Sequence, residues 1–261
     1  MTSGKFEKMA AFRQRFMAGE HLVGTFIKTP ATHPIEILGH VGFDFVVIDE
    51  EHAPWDRVAI DSALLAARAS GTAGIVRVSE PTAAKILAIL DDGAAGALVP
   101  HVSSKVKAQE LASAFRYRGG KRGFSNTTRA GAFGAVGLWD HVDAGDRSAT
   151  FIAMIEDPEA LDEIDDILAV DGLDGIFIGR GDLTVAFGAS GMDAPEIVDA
   201  CTRIIAAAKK VGKPVAVMVA NGEEAKRFRQ AGATAFITAS DHGFMRQAAS
   251  KALQEIAAVG A

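Results

Sequence analysis

The sequence predicts an α/β protein with the architecture of a (β/α)8 TIM barrel, on three observations. Short apolar runs alternate with longer segments of helical period, the pattern of repeated βα units that feed a parallel sheet. About eight such runs occur, the number that closes a barrel. The 261 residues, 49% hydrophobic and 23% charged, suffice for one sizeable core in a single domain spanning 1–261, although two smaller domains would also fit the length.

The elements follow in order. Residues 1–20 mix Lys, Arg and Glu with apolar residues at helical spacing and lack the unbroken apolar core of a signal peptide. A first strand at 21–28 ends on Lys28, and a helix follows at 34–41. The second strand, 43–49, runs straight into Asp49-Glu50-Glu51-His52, and the helix after it, 58–70, stops at Gly71. A third strand at 74–78 carries Arg77; Glu80-Pro81-Thr82 opens the helix 82–92, which Gly93 stops. The fourth strand, 96–101, reaches His101 and precedes a helix at 105–115.

From 119 to 150 the chain is rich in Gly, Arg, Ser, Thr and Asn and reads as a long connection, of the kind that forms lids or oligomer contacts. A fifth strand, 151–156, ends on Glu156, and Asp157-Pro158 opens a helix at 158–168. The sixth strand, 175–179, leads to Arg180 and Asp182. Helix 194–211 holds Cys201 and ends at Gly212; strand 214–219, helix 223–231, strand 235–239 and helix 243–259 complete the count.

A net charge of −6 and a pI near 5.7 give no electrostatic footprint for nucleic acid, and no basic run suggests a membrane surface. With no segment of transmembrane length and one cysteine, the chain reads as cytoplasmic, acting on small molecules, with no intramolecular disulfide and no thiol-based metal cluster. Cys201 reads as a small buried helix residue.

Barrel enzymes build their sites from the carboxyl ends of the strands. Here those ends carry Asp49, Glu50, Glu51, His52, Arg77, His101, Glu156 and Asp182, so polar groups gather at one rim. Glu156 follows the apolar run 151–155, and Asp182 follows a turn in which Gly179 and Gly181 let backbone approach a ligand. Two carboxylates with no Cys and few His nearby suit a hard divalent cation, Mg²⁺ or Mn²⁺, with Co²⁺ a further candidate; structural ion pairs with rim arginines are the competing reading. Lys28 could instead be a Schiff-base amine.

The order of these segments resembles the HpcH/HpaI aldolase family. The segments that carry the likeness are Gly42 through Pro54 (with the Glu51-His52-Ala53-Pro54 element), Ile75-Val76-Arg77-Val78, Leu98-Val99-Pro100, Ile155-Glu156 and Gly172 through Leu183. Its members are metal-dependent, class II pyruvate aldolases typified by 4-hydroxy-2-oxoheptanedioate aldolase, built as (β/α)8 barrels whose terminal helix is exchanged between neighbours, usually in hexamers. The resemblance implies Glu156 and Asp182 as metal ligands, Arg77 as the contact to the 2-oxo group and His52 as catalytic base. It further implies Asp49 as the group that orients His52, Asp91 as part of that network, and Gly181 beside Asp182 in the substrate contact. Glu51 is a supporting candidate, Glu50, Glu223 and Glu224 read as solvated, and Arg122 and Arg129 are expected at the aldehyde end.

Departures from the family pattern lie around the substrate: Met154 where Gln is common, His101 after Pro100, Gly179-Arg180-Gly181-Asp182 for Gly-Pro-Ala-Asp, and Tyr117-Arg118-Gly119 without the usual prolines. The implied function is reversible aldol cleavage of 4-hydroxy-2-oxo acids to pyruvate or hydroxypyruvate plus an aldehyde. A citrate-lyase-like acyl-CoA lyase and a non-catalytic 2-oxo acid binder are the alternatives.

Overall fold

The computed structural model describes residues 10–260; residues 1–9 of the charged amino-terminal segment lie outside it. A short helix α1 (Phe12–Met17) leads into eight strands: β1 (Leu22–Ile27), β2 (Phe45–Asp49), β3 (Ala73–Arg77), β4 (Gly96–Val99), β5 (Thr150–Ile155), β6 (Gly175–Ile178), β7 (Val215–Val219) and β8 (Ala235–Ser240). They pair in sequence order, all parallel, and β8 closes on β1.

Between them run α2 (His33–Val41), α3 (Arg57–Ser70), α4 (Ala83–Asp91), α5 (Lys105–Phe115), α6 (Leu138–Ser148), α7 (Pro158–Asp162), α8 (Ile164–Leu168), α9 (Arg180–Phe187), α10 (Pro195–Lys210), α11 (Gly222–Ala231) and α12 (Asp241–Ala257). Polar residues open several of them. Asp56, Thr82, Ser104, Asn221 and Ser240 each accept a hydrogen bond from a first-turn N–H. Left-handed glycines follow at Gly71 (φ 72°) and Gly42 (φ 115°), where a side chain would be strained.

The alternation of a strand divides the apolar residues into two cores. Phe26, Phe45, Val47, Ala73, Ile75, Leu98, Ile152, Met154 and Phe177 point into the barrel, where Phe12 and Phe16 of α1 join them. Val46, Ile48, Val76, Val99, Ile155 and Ile178 face outward and pack beneath the helices. Two residues on, the inward parity of Phe26, Val47, Ile75 and Met154 reaches Lys28, Asp49, Arg77 and Glu156. The strand pattern therefore aims these four into the barrel mouth.

The connection expected at 119–150 contains a 3-10 turn (Arg129–Gly134) and helix α6, whose amphipathic pattern interrupted by Gly145 hid it in a polar stretch. The helix expected over 158–168 is two short helices that meet at Glu163. Helix α9, opened by the Asp182 turn itself, is an element that the glycines of that turn masked.

Candidate active site

Asp49 is the fully buried hub of the rim. Asp49 and Arg77 are register partners on β2 and β3, and the guanidinium grips the carboxylate as a fork, Nε to Oδ1 and Nη2 to Oδ2, both at 2.8 Å. Lys28 Nζ donates to Oδ2 at 2.6 Å. Burial opposes ionisation of Asp49, but the hydrogen bonds and charges of Arg77 and Lys28 prevail and hold its carboxyl below the usual range. The remaining face of Arg77 meets Glu51 at 3.3 Å and covers the ring of Phe26.

Glu156, 3% exposed, sits across the mouth at the end of β5. Its Oε1 accepts the backbone N–H of His101 at 2.8 Å. Burial, followed by the charges of Asp182 and Glu51, pushes its carboxyl up to about 7 against the opposing pull of His101. Gly179 is required beside it: a Cβ there would stand 2.5 Å from Glu156 Cβ. Asp182 is exposed in the first turn of α9, and among the described residues the cationic group nearest to Glu156 is the His101 ring, with Nδ1 3.5 Å from Oε1.

His101 holds a left-handed backbone, φ 54°, a conformation a side chain adopts only when its surroundings enforce it. Its Nδ1 lies 3.1 Å from Asp157, and Nε2 lies 3.9 Å from Glu51. Burial pulls the imidazole pKa down, but the Asp157 hydrogen bond and the charges of Glu156, Asp157 and Glu51 outweigh it and raise it.

This donor set fits a hard divalent cation in part. A buried carboxylate whose ionisation is held back by neighbouring anions is a ready cation ligand, as is the exposed Asp182. Among the described residues, however, no group of three or more His, Cys, Asp or Glu could hold a metal ion. The chain supplies two carboxylates, and substrate and water would fill the remaining positions.

The model of the family described as HpcH/HpaI aldolase/citrate lyase matches residues 22–248. The chain belongs to this family. It is 35% identical over 242 residues to the 5-keto-4-deoxy-D-glucarate aldolase of Enterobacter sp. (strain 638), covering 92% of this chain and 94% of that one. It superposes on an HpcH/HpaI aldolase/citrate lyase family protein from Burkholderia cenocepacia J2315 with TM-score 0.89 at 28% identity, covering 95% of this chain and 99% of that one. The citrate synthase SbnG gives TM-score 0.88 at 28% identity, covering 96% and 99%. The protein is thus an enzyme of the aldolase type, a carbon–carbon lyase on a closed (β/α)8 barrel.

For this HpcH/HpaI family member the structure brings Asp49, Glu51, His52, Arg77, His101, Glu156 and Asp182 to one end of the barrel, and it changes several expected contacts. Asp49 does not touch the His52 ring: it accepts the His52 backbone N–H at 3.2 Å, its other positions being filled by the two cations. The imidazole is 57% exposed, with Glu51 3.8 Å from Nε2. Asp91 does not join that network within the chain. It closes α4 just ahead of the amino end of β4, whereas His52 follows the carboxyl end of β2, and Asp91 pairs with Arg122 at 3.5 Å.

Arg129 likewise engages Asp61, so neither loop arginine is held by a strand-end group. Gly181 has open space around it, with nothing within 4 Å of the position a methyl group would take. Glu50 is not solvated: its carboxylate accepts from Lys85 Nζ and from the Ser79 N–H at 3.1 Å. Glu224 is not solvated either, being paired with Arg180 at 2.7 Å. Lys28 is held in the Asp49 ion pair, an arrangement opposite to the free, desolvated amine of a Schiff-base lysine. Asp157 and the Lys28–Asp49 contact had no distinct sequence signal: Asp157 resembled a helix cap, and the parallel pairing of β1 with β2, with its register, is what brings Lys28 beside Asp49 at the rim.

Proposed function

We propose that this chain is a metal-dependent aldolase that reversibly cleaves a 4-hydroxy-2-oxo acid to pyruvate, or hydroxypyruvate, and an aldehyde. The observation that carries this reading is Glu156, a buried carboxyl pushed up to about 7 beside Asp182, across the mouth from the Arg77 guanidinium. Glu156 and Asp182 would hold Mg²⁺ or Mn²⁺, which when bound supplies Lewis-acid stabilisation of an enolate oxygen. The relatives' aldolase activity on a keto-deoxy sugar acid supports this substrate class.

The chain's own residues divide the remaining work. Arg77, fixed in one orientation by the Asp49 fork and the Phe26 ring, sets a positive charge beside the 2-oxo group; a preorganised donor of this kind contributes about 3 kcal/mol to oxyanion stabilisation. His52, exposed at the rim, takes the proton from the C4 hydroxyl during cleavage, directly or through water, and returns it during condensation. Glu51 lies between Arg77 and the two histidines and biases their orientation. A homohexamer is the assembly that the family resemblance favours.

The test is exchange of the pyruvate methyl protons for deuterium in D₂O with Mn²⁺, followed by NMR. Exchange in the wild type that EDTA stops and Glu156→Gln abolishes is the expected result. No exchange, or exchange untouched by EDTA, would overturn the reading. The likeness to SbnG favours a second reading, condensation or cleavage of an acyl thioester at the same rim; thioester consumption without methyl exchange distinguishes it.

A further inference from the structure

We infer that Arg180 is a positioning residue that tethers the Asp182 turn, so that the two carboxylates of the rim keep a fixed separation. The inference rests on the metal-site reading above and concerns how this chain builds that site.

The turn that carries Asp182 into the first turn of α9 is glycine-rich. Residues 179–182 read Gly-Arg-Gly-Asp, and each glycine gives the unfolded chain more conformations to lose. A side chain at Gly181 would meet open space and Asp182 is exposed, so the buried residues on either side, Arg180 and Leu183, are the ones that anchor the turn. The Gly179 N–H donates to Ile155 O at 3.0 Å and fixes the start of the turn against β5, beside Glu156. Beyond that point Leu183 packs into the core beneath the helices, and the long side chain of Arg180 supplies the polar attachment.

Arg180 is 7% exposed and points away from the barrel mouth into the wall between β7, α10 and α11. Its Nη1 pairs with Glu224 at 2.7 Å, its Nη2 donates to Met218 O at 2.8 Å, and its guanidinium lies 4.9 Å from the centre of the Phe228 ring. Glu224 is itself fixed, accepting the Ala220 N–H at 2.6 Å. The tether therefore links the first residue of α9 to the end of β7 and to the first turn of α11. A charged group this buried is costly to keep, and its Nε finds no acceptor among the described residues. A side chain that only filled space there would be apolar. The arrangement gains in place of that a directional link, two residues from Asp182.

The experiment measures Mn²⁺ binding by calorimetry, with MnCl₂ as the only ligand, and melting temperature in parallel. Wild type, Asp182→Asn, Arg180→Ala, Arg180→Lys, Glu224→Gln and the Arg180→Ala/Glu224→Gln double variant are compared. Arg180→Ala is expected to weaken Mn²⁺ about tenfold and Glu224→Gln by a similar factor, with the double variant no weaker than Arg180→Ala. Arg180→Lys, which keeps the ion pair, should recover part of the loss. Glu224→Gln removes one charge and keeps the shape, so it reports even where Arg180→Ala fails to fold.

A folded Arg180→Ala or Glu224→Gln with wild-type Mn²⁺ affinity and only a lower melting temperature overturns the tether, leaving a purely structural ion pair. Independent, additive losses overturn it as well. A wild type that does not bind Mn²⁺, or an Asp182→Asn variant that binds like wild type, defeats the metal reading itself and the tether with it.

Discussion

At the scale of single residues, the candidate site sets a carboxylate gripped by two permanent cations against one whose only nearby cationic group among the described residues is an imidazole. Asp49 has two cations and stays ionised; Glu156 has neighbouring anions and a shielded position, and its carboxyl rises to about 7. A carboxyl that rises on folding binds more protons in the native than in the unfolded state between its ordinary value near 4.5 and about 7. Glu156 therefore stabilises the metal-free fold fully below that window, and this contribution is lost as pH rises through about 7. A cation binds the ionised form and reverses the trend. The increase in melting temperature given by Mn²⁺ should be larger at about pH 8 than at about pH 6, and a pH-independent increase would contradict the assignment.

His52 gives a second prediction at this scale. Its imidazole is exposed and its link to Asp49 runs through the backbone, so His52→Ala should leave Mn²⁺ affinity and melting temperature within error of wild type. Aldol cleavage should fall by roughly 10²–10⁴-fold, the usual contribution of a general base. Unchanged turnover removes His52 from the mechanism.

At the scale of elements, the strand ends do the positioning. Period-two alternation carries Lys28, Asp49, Arg77 and Glu156 inward because Phe26, Val47, Ile75 and Met154 already face the barrel interior. The turn from β6 to α9 must pass close to Glu156, and Gly179 is the residue that permits it. Gly179→Ala should fold but displace Glu156, weakening Mn²⁺ binding in calorimetry by tenfold or more. Wild-type affinity in that variant would show that the turn yields instead.

At the same scale, the gathering of the candidate site's residues at one rim was legible in the sequence. The run of apolar residues into Asp49-Glu50-Glu51-His52 marked a chemical strand end, and Glu156 stood out as a carboxylate carried by an apolar strand. Roles within that run were not legible, because contact partners lie on other strands. Glu50 looked free until α4 brought Lys85 to it, and Glu224 looked free until the β6 turn brought Arg180.

At the scale of the whole molecule, the barrel separates chemistry from stability. The rim at the carboxyl ends holds the candidate site, and around the amino ends Asp174 gathers a different charge network. Asp174, just ahead of β6 and 3% exposed, accepts from Arg13 at 2.6 Å, from Arg116 at 3.0 Å and from the Phe151 N–H at 2.9 Å. It thereby binds α1, the end of α5 and the start of β5 together. Asp174→Ala leaves those partners uncompensated and should cost about 3–5 kcal/mol in urea denaturation, as broken buried ion pairs do. Mn²⁺ affinity of the folded protein should not change; a coupled loss would mean that the two ends communicate.

By itself the sequence determined the alternation of strand and helix, the eight-fold count that closes the barrel, and the rim at which the ionisable residues would collect. These follow from local periodicity, caps and stops, which adjacent residues encode. Only the tertiary structure decided which groups meet. The β1–β2 register set Lys28 against Asp49, the β2–β3 register joined Asp49 to Arg77, and the course of α4 keeps Asp91 apart from His52 within the chain. Pairing across strands depends on register and on distances between residues far apart in the chain, and periodicity carries neither.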